Sequence, residues 1–294
     1  MPGSSERFLA KAAGLDADEV FLDLEDAVAP SEKERARALV VEALRETEFG
    51  AKTVVVRVNG TDTPHYYRDL IDVVEQAGDR LDAVMVPKVR TPGDVEMTAK
   101  LLTQIELARG FEVGRIGIEA QIEDASGLIA CEAIATASPR METLIFGPGD
   151  YSAAIGIPVT TIGGAPEGYP GDHLNYVISR IVVAARAAGI QAIDGPYGAF
   201  DDEDGLRGRA GLARALGVDG KWSIHPRQIA TINEVFTPSR EAWERASALL
   251  AAYRDAHEAG RGAAMYDGEM IDEANRKMAE RVARAGEAAG YTQT

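Results

Sequence analysis

The sequence predicts an α/β protein built as a (β/α)8 TIM barrel with a C-terminal helical extension. Short β-branched, apolar runs alternate with helical segments along most of the chain, and nearly every run ends in a side chain capable of chemistry. Strands that alternate with helices form parallel sheets joined by crossover helices. In a barrel the carboxyl ends of all strands converge on one mouth, whereas an open sheet spreads them along a line. The functional groups at the strand ends therefore favour the barrel.

Seven segments have the composition of parallel strands covered on both faces, since they are near-continuous apolar runs rather than alternating ones. They span 18–24, 53–58, 81–87, 115–120, 141–147, 190–194 and 218–224. A complete barrel has eight strands, and the chain starts with MPGSSERF, which is typical of the loop after a strand. We therefore expect the first strand to be absent from this chain, which would leave two unpaired sheet edges.

Helical patterns fill the intervals between these strands. In SEKERARALVVEALRET, Ser31 and Glu34 have the capping-box spacing, which predicts that Ser31 caps a helix. From Pro238 onward the pattern is purely helical, with two helices joined by the loop GRGAAMYDGEM. We predict a catalytic barrel domain over 1–237 and a helical extension over 238–294. The extension either packs against the barrel or forms a mobile lid over its mouth.

The composition excludes several classes of protein. The 31 Lys and Arg residues against 47 Asp and Glu residues give a net charge of −16, which opposes binding to nucleic acid or anionic membranes. No segment has the roughly 18 uninterrupted apolar residues of a membrane span, and the N-terminus lacks the apolar region of a signal peptide. The single cysteine, Cys131, excludes a disulfide framework. We expect a cytoplasmic protein whose anionic substrate needs a local positive site or a metal.

Acidic residues that follow strands directly are candidate metal ligands. Glu123 lies in EAQIEDASGL, and Asp150 lies in LIFGPGDYS, where a Gly-Pro-Gly turn allows the backbone to approach a ligand closely. Two carboxylates with water are the usual way of holding Mg²⁺, although acids in this position also serve as helix N-caps. Glu25 and Asp26 in FLDLEDAV end the first predicted strand, where they would orient metal-bound waters.

Basic side chains end two further strands. Arg57, in VVVRVNG, is either a buried partner for one of the acids or a planar fork for a substrate carboxylate or a developing oxyanion. Lys88 follows Pro87 and has the same two interpretations. We interpret His225, in SIHPRQ, as a structural histidine with an extended backbone.

Taken together, these segments resemble one family over essentially the whole chain, the citrate lyase beta-subunit-like (HpcH/HpaI aldolase) superfamily. The segments are PGSSERFLAKAA, DADEVFLDLEDAVAPSEKERAR, VVVRVNGTDTP, LDAVMVPKV, QIEDASGL, LIFGPGDYSAAIG, IDGPYGAFDDEDG, GKWSIHPRQI and YDGEMID. Within that superfamily the chain most resembles the malyl-CoA/β-methylmalyl-CoA lyases. The resemblance implies a (β/α)8 barrel, Mg²⁺ with Mn²⁺ as an alternative, and CoA thioester substrates. It also implies homotrimers or hexamers in which a C-terminal lid covers the active site of a neighbour.

The resemblance further implies roles for individual residues. Glu123 and Asp150 match the metal ligands, and Arg57 matches the arginine that contacts substrate. Asp272, in EMIDEA, matches the lid aspartate that acts as acid and base from the adjacent subunit. The remaining matches are contacts to substrate or CoA, at Lys11, Gly149, Asp150, Ser223 and Ile224. From their positions at strand ends, we expect Glu25, Asp26 and Lys88 to lie beside the metal-bound waters.

The function implied is a Mg²⁺-dependent carbon–carbon lyase. It would cleave (S)-malyl-CoA or β-methylmalyl-CoA reversibly to glyoxylate and acetyl-CoA or propionyl-CoA by a Claisen-type mechanism. The alternatives are a citramalyl-CoA lyase, a malyl-CoA thioesterase or malate synthase-like enzyme, and a citrate lyase beta-like subunit that acts on an acyl-carrier thioester.

Overall fold

The computed structural model describes residues 1–292, which divide into two compact units, Met1–Ile232 and the segment from Asn233 onward. The first unit is an α/β structure, and the second consists of helices and a hairpin. No helix within residues 1–292 combines the length and the apolar character needed to cross a membrane.

A sheet of seven parallel strands forms the centre of the first unit, and the strands lie side by side in sequence order. They are β1 (Glu19–Asp23), β2 (Thr53–Arg57), β3 (Ala83–Val86), β4 (Gly117–Ile122), β5 (Met141–Phe146), β6 (Gln191–Asp194) and β7 (Gly220–Lys221). Each overlaps one of the predicted strands. Sequential order with crossover helices is the winding of a barrel, whereas a doubly wound sheet changes direction at a switch point.

The sheet curls so that its two outer strands approach each other. Phe21 of β1 stacks on Trp222, which directly follows β7, with ring centroids 4.6 Å apart. Both rings pack on a buried apolar cluster that contains Val55, Met85 and Ile145. These side chains come from strands between the two edges, so the cluster fills the concave side of the sheet.

Residues at the start of the chain lie beside the outer edge of β1. Pro2 forms a parallel bridge with Asp23, and the N-terminal ammonium group of Met1 donates to the carbonyl oxygen of Phe21 at 2.7 Å. Within residues 1–292 the parallel sheet has seven strands. An eighth strand and a closed barrel therefore stay predictions.

Helices connect the strands of the first unit. They are α1 (Glu6–Leu9), α2 (Lys33–Glu46), α3 (Tyr66–Ala77), α4 (Pro92–Arg109), α5 (Ala125–Ala135), α6 (Pro148–Ile155), α7 (Asn175–Ala188), α8 (Glu203–Ala215) and α9 (Pro226–Phe236). The last helix, α9, runs past the boundary of the first unit. Short 3₁₀ turns lie at Ala12–Gly14, Pro30–Glu32 and Gly78–Arg80. The predicted cap at Ser31 is wrong, because α2 begins only at Lys33, after the turn Pro30–Glu32. The Lys33 ammonium donates to the carbonyl oxygens of Leu24 and Glu25 at 2.7 Å, and these contacts fix the start of the helix.

The second unit contains α10 (Arg240–Glu258), a hairpin of β8 (Ala264–Tyr266) and β9 (Glu269–Ile271), and α11 (Glu273–Ala288). The predicted connecting loop is therefore partly a hairpin. Its turn residues Asp267 and Gly268 have φ angles of 52° and 80°, the left-handed backbone that two-residue hairpin turns require. Ala256, Ala264 and Ile271 form the buried apolar cluster of this unit.

Candidate active site

A buried ion pair joins the carboxyl ends of β1 and β2. Asp23 and Arg57 lie opposite each other in the strand register, and the guanidinium group donates two hydrogen bonds to the carboxylate, at 2.7 and 2.6 Å. The guanidinium carbon also lies 5.7 Å from the ring centroid of Phe21 and 5.4 Å from that of Trp222. Burial alone would raise the pKa of Asp23, but the hydrogen bonds from Arg57 hold it below its usual value. Arg57 is thereby fixed in position, while its third nitrogen points to Glu25 at 3.3 Å.

A second group of charges surrounds Glu25, beyond the end of β1. The Lys88 ammonium lies 2.5 Å from Glu25 Oε1 and 3.3 Å from Asp26 Oδ1, so the structure brings these three predicted site residues together. Burial keeps the pKa of Glu25 above its usual value despite the charges of Arg57 and Lys88. Burial lowers the pKa of the Lys88 ammonium group, but the hydrogen bond to Glu25 and the charges of Glu25, Asp26 and Asp150 together outweigh burial and raise the pKa above its usual value.

Glu123 directly follows β4 and is buried, with 5% of its surface exposed. Its Oε2 accepts a hydrogen bond from the backbone N–H of Lys88 at 2.8 Å, and its Oε1 accepts one from the Gln121 amide at 3.1 Å. The carboxyl group lies across Gly147, where any β-carbon would collide with it. No lysine or arginine of residues 1–292 forms an ion pair with Glu123. Burial raises its pKa to about 7, with a further contribution from the charge of Asp150.

Asp150 lies in the first turn of α6, which follows β5 through Gly147. The side chain is exposed, and its carboxylate forms no hydrogen bond or ion pair within the described part of the chain. Its charge nevertheless raises the pKa of both Glu123 and Lys88, so it lies within electrostatic reach of both groups. Gly147 and Gly149, on either side of Pro148, have no β-carbon, so the backbone of this turn is open to a ligand at these two positions.

Glu123 and Asp150 have the chemistry that a hard divalent cation requires. Glu123 is buried without an ion pair, Asp150 has no hydrogen-bond or ion-pair partner within residues 1–292, and the charge of Asp150 increases the cost of ionising Glu123. Residues 1–292 contain no group of three or more His, Cys, Asp or Glu side chains arranged to hold a metal. Two carboxylates, with water and substrate oxygens completing the coordination, suit Mg²⁺ rather than a structural zinc ion.

The residues predicted to contact CoA are placed at different points of the first unit. Ser223 and Ile224 follow β7, where the Ser223 hydroxyl donates to the carbonyl oxygen of His225 at 2.8 Å and the Ile224 N–H donates to Gln228 at 2.9 Å. Lys11 is exposed and precedes the turn Ala12–Gly14.

Asp272 belongs to the second unit, where it caps α11. Its Oδ1 accepts hydrogen bonds from the backbone N–H groups of Ala274 and Asn275, at 2.8 and 3.2 Å. The Asn275 side chain in turn accepts from the N–H of Asp272 at 3.0 Å, which completes a capping box. The other carboxylate oxygen, Oδ2, accepts no hydrogen bond within residues 1–292, and the side chain is exposed.

Sequence reasoning missed two parts of this site. Asp23 was assigned no role, yet it is the partner of Arg57, and only the parallel register of β1 and β2 places the two side chains together. The hydrogen bond from the Lys88 backbone N–H to Glu123 was also missed. No sequence signal indicates that Lys88 has a φ angle of 53°, in the left-handed region.

The chain is similar to known proteins over most of its length. The model of the HpcH/HpaI aldolase/citrate lyase family matches residues 1–226. The L-malyl-CoA/β-methylmalyl-CoA lyase of Cereibacter sphaeroides (strain ATCC 17025) is 43% identical over 97% of this chain and 92% of that protein. The (3S)-malyl-CoA thioesterase of the same strain is 38% identical over 92% of this chain and 87% of that protein. The solved structure of CitE from Mycobacterium tuberculosis, in complex with magnesium, acetoacetate and coenzyme A, has a TM-score of 0.76 and 31% identity, and covers 98% of this chain and 96% of that chain. The chain therefore belongs to the HpcH/HpaI aldolase/citrate lyase family.

Proposed function

We propose that this protein is a Mg²⁺-dependent carbon–carbon lyase that cleaves (S)-malyl-CoA or β-methylmalyl-CoA to glyoxylate and acetyl-CoA or propionyl-CoA. The observation that carries the proposal is the pair Glu123 and Asp150, two carboxylates within electrostatic reach of each other that form no ion pair within residues 1–292, in a chain 43% identical to a malyl-CoA/β-methylmalyl-CoA lyase. Glu123 and Asp150 would hold Mg²⁺, which supplies Lewis-acid stabilisation for the negative charge on the hydroxy-acid end of the substrate.

The bond that breaks joins the carbinol carbon to the carbon next to the thioester. The hydroxyl group gives its proton to a water molecule and its oxygen becomes the aldehyde oxygen of glyoxylate, while the electron pair of the broken bond forms a thioester enolate. Arg57 would stabilise that enolate, because a planar guanidinium matches a developing oxyanion. Asp23 holds the guanidinium by two hydrogen bonds, so Arg57 needs no reorganisation during the reaction.

We further propose that Asp272 donates the proton that converts the enolate to acetyl-CoA or propionyl-CoA, as part of a lid that covers the active site of a neighbouring subunit. The capping hydrogen bonds to Oδ1 support this role, because they orient the carboxyl group and leave Oδ2 without a partner. The exposure of Asp272 on a separate unit supports a contact with another chain. The assembly would be a homotrimer or hexamer, and the seven-stranded sheet would belong to a (β/α)8 barrel.

An assay of the purified protein tests the reaction. Malyl-CoA, β-methylmalyl-CoA and citramalyl-CoA are each supplied with Mg²⁺ or with EDTA, and the 2-oxo acid, the acyl-CoA and free thiol are followed separately. We expect Mg²⁺-dependent glyoxylate and acetyl-CoA in equal amounts, without free thiol. Free thiol in place of acetyl-CoA would identify a thioesterase, a reaction that the name of one relative suggests. Activity only on an acyl-carrier thioester would identify a citrate lyase-like subunit.

Mixing two inactive variants tests whether the lid is shared between subunits. Glu123→Gln removes the metal ligand and Asp272→Asn removes the acid, so neither homo-oligomer should turn over. After the two are unfolded and refolded together, a site is complete when its own subunit has Glu123 and its neighbour has Asp272. With equal mixing, about a quarter of the sites meet both conditions in a cyclic assembly. No recovery of activity in oligomers shown to be mixed would place Asp272 outside the neighbour's site.

A further inference from the structure

Lys88 has an unusual backbone. Its φ angle is 53°, in the left-handed region that side chains other than Asn and Asp rarely adopt. Within residues 1–292 the only other non-glycine residue with a positive φ angle is Asp267, whose conformation is explained by its hairpin turn. Strained residues of this kind persist where their surroundings impose the conformation, and they cluster at functional sites.

The neighbouring backbone imposes this conformation. The N–H of Val89 donates to the carbonyl oxygen of Gln121 at 3.1 Å, which ties the segment to β4. The carbonyl oxygen of Val89 lies so close to Gly127 that a β-carbon there would come within 2.5 Å of it. The segment is therefore held on both sides, and Lys88 must turn between β3 and these contacts.

This conformation lets Lys88 act at both parts of the acidic site. Its backbone N–H binds Glu123 Oε2 at 2.8 Å, while its ammonium group binds Glu25 at 2.5 Å and Asp26 at 3.3 Å. The side chain is 32% exposed, so the charge is only partly screened by solvent. The charge of Asp150 also reaches the ammonium group. A single residue thus contacts three carboxylates and lies within the field of a fourth.

We propose that Lys88 is a positioning residue that acts as a resident counter-cation, holding the acidic side chains of the mouth in place before Mg²⁺ enters. This inference rests on the proposed metal site. The ammonium group partly neutralises Glu25 and Asp26, and the backbone N–H orients Glu123 for the metal. A fixed positive charge near the site also repels a divalent cation. The Lys88 ammonium group therefore lowers the affinity for Mg²⁺ while it orders the carboxylates around the site. Loss of the ammonium group should therefore tighten Mg²⁺ binding and slow turnover.

The test uses Lys88→Met and Lys88→Gly, which both remove the ammonium group and keep the backbone N–H. Lys88→Gly also removes the strain of the left-handed backbone, so it folds even if Lys88→Met does not. The Mg²⁺ dissociation constant is measured by calorimetry on protein freed of metal and substrate. We expect it to fall roughly tenfold in both variants, a typical coupling between adjacent sites, while kcat falls. Lys88→Arg keeps the positive charge, so its Mg²⁺ dissociation constant should equal that of the wild-type protein.

The matched control is Lys100→Met, which removes the same charge from an exposed position on α4. It should leave the Mg²⁺ dissociation constant unchanged, which would show that net charge alone is not the cause. An unchanged or weaker Mg²⁺ affinity in both Lys88→Met and Lys88→Gly would overturn the proposal. Tighter Mg²⁺ binding by these variants, in a protein that cleaves none of the thioesters, would support the role of Lys88 and refute the proposed reaction. No Mg²⁺ binding by any of the proteins would refute both.

Discussion

Glu106 and Glu123 are both buried, and they lie at opposite ends of the same parallel strands. Glu106 has no exposed surface and sits at the amino ends of β4 and β5, where two nitrogens of Arg140 donate to its carboxylate. The backbone N–H groups of Gly114 and Ile116 add hydrogen bonds at 2.9 and 3.1 Å. Glu123, at the carboxyl end, accepts from one backbone N–H and one side-chain amide, and it forms no ion pair within residues 1–292.

The partners of each carboxylate decide its charge state. Burial alone would raise the pKa of Glu106, but the hydrogen bonds from Arg140 and from the backbone lower it below its usual value. Burial raises the pKa of Glu123 to about 7, and the N–H of Lys88 reverses only part of the effect. A buried carboxylate with a full set of donors is structural. One whose charge is uncompensated, beside a second carboxylate, is a candidate ligand for a cation.

The largest effect is expected from Glu123→Gln. Turnover of malyl-CoA should fall on the order of 10³-fold or more, since Lewis-acid stabilisation is worth several kcal/mol. Calorimetry should detect no Mg²⁺ binding, whereas the melting temperature of the metal-free protein should stay the same or rise, because the amide removes an uncompensated buried charge. Full metal-dependent turnover by Glu123→Gln would show that Glu123 is not a metal ligand.

Glu106→Gln is the matched substitution at the amino end, and we expect the reverse pattern. Arg140 would be left buried without a counter-charge, so the free energy of unfolding should fall by about 3–5 kcal/mol. Mg²⁺ affinity of the folded protein should not change. Urea denaturation measures the first quantity and calorimetry the second. A loss of Mg²⁺ binding without a loss of stability in Glu106→Gln would contradict the assignment of Glu106 as the structural carboxylate and Glu123 as the metal ligand.

A smaller effect on activity is expected from Asp23→Asn. This change weakens the hydrogen bonds that position Arg57 but leaves the contacts of Arg57 with Phe21 and Trp222. Replacing a residue that orients a group at the site typically costs about 10- to 100-fold in activity. We expect that loss in kcat, with little change in KM for the CoA thioester. Steady-state kinetics with malyl-CoA measures both. A rise in KM at constant kcat would indicate that Arg57 binds the substrate equally well before and during the reaction.

The strands were predicted correctly in outline because they depend on local sequence. Runs such as TVVVRV and METLIF are apolar and β-branched, which suits strands buried on both faces, and each was confirmed. Parallel strands bring their carboxyl ends to one edge, so Glu25 and Lys88 were expected near each other although 63 positions separate them. The family resemblance was also confirmed.

What sequence reasoning missed depends on register and backbone geometry. Asp23 and Arg57 meet only because β1 and β2 align in one particular register. The left-handed backbone of Lys88 results from contacts of Val89 with β4 and α5, which no local pattern reveals. The hairpin was missed for another reason: AMYDGEMI contains an Asp-Gly pair between apolar residues, a recognised hairpin signal that was interpreted as loop. The fold was thus more predictable than the hydrogen bonds that organise the site.

The smallest effect concerns another pair of acids, the half-buried Glu19 and the buried Glu119. Burial raises the pKa of Glu19 to about 7, and burial with the charge of Glu19 raises that of Glu119. The folded protein therefore holds a proton that the unfolded chain releases above its ordinary pKa of 4.5. Stability should fall as pH rises from about 4.5 to 7, by on the order of 1–3 kcal/mol. Glu123 titrates in the same window, so the pair's share is the difference between wild-type protein and Glu19→Gln, measured by urea denaturation at pH 5 and pH 8. Equal slopes in the two proteins would show that the pair does not share a proton.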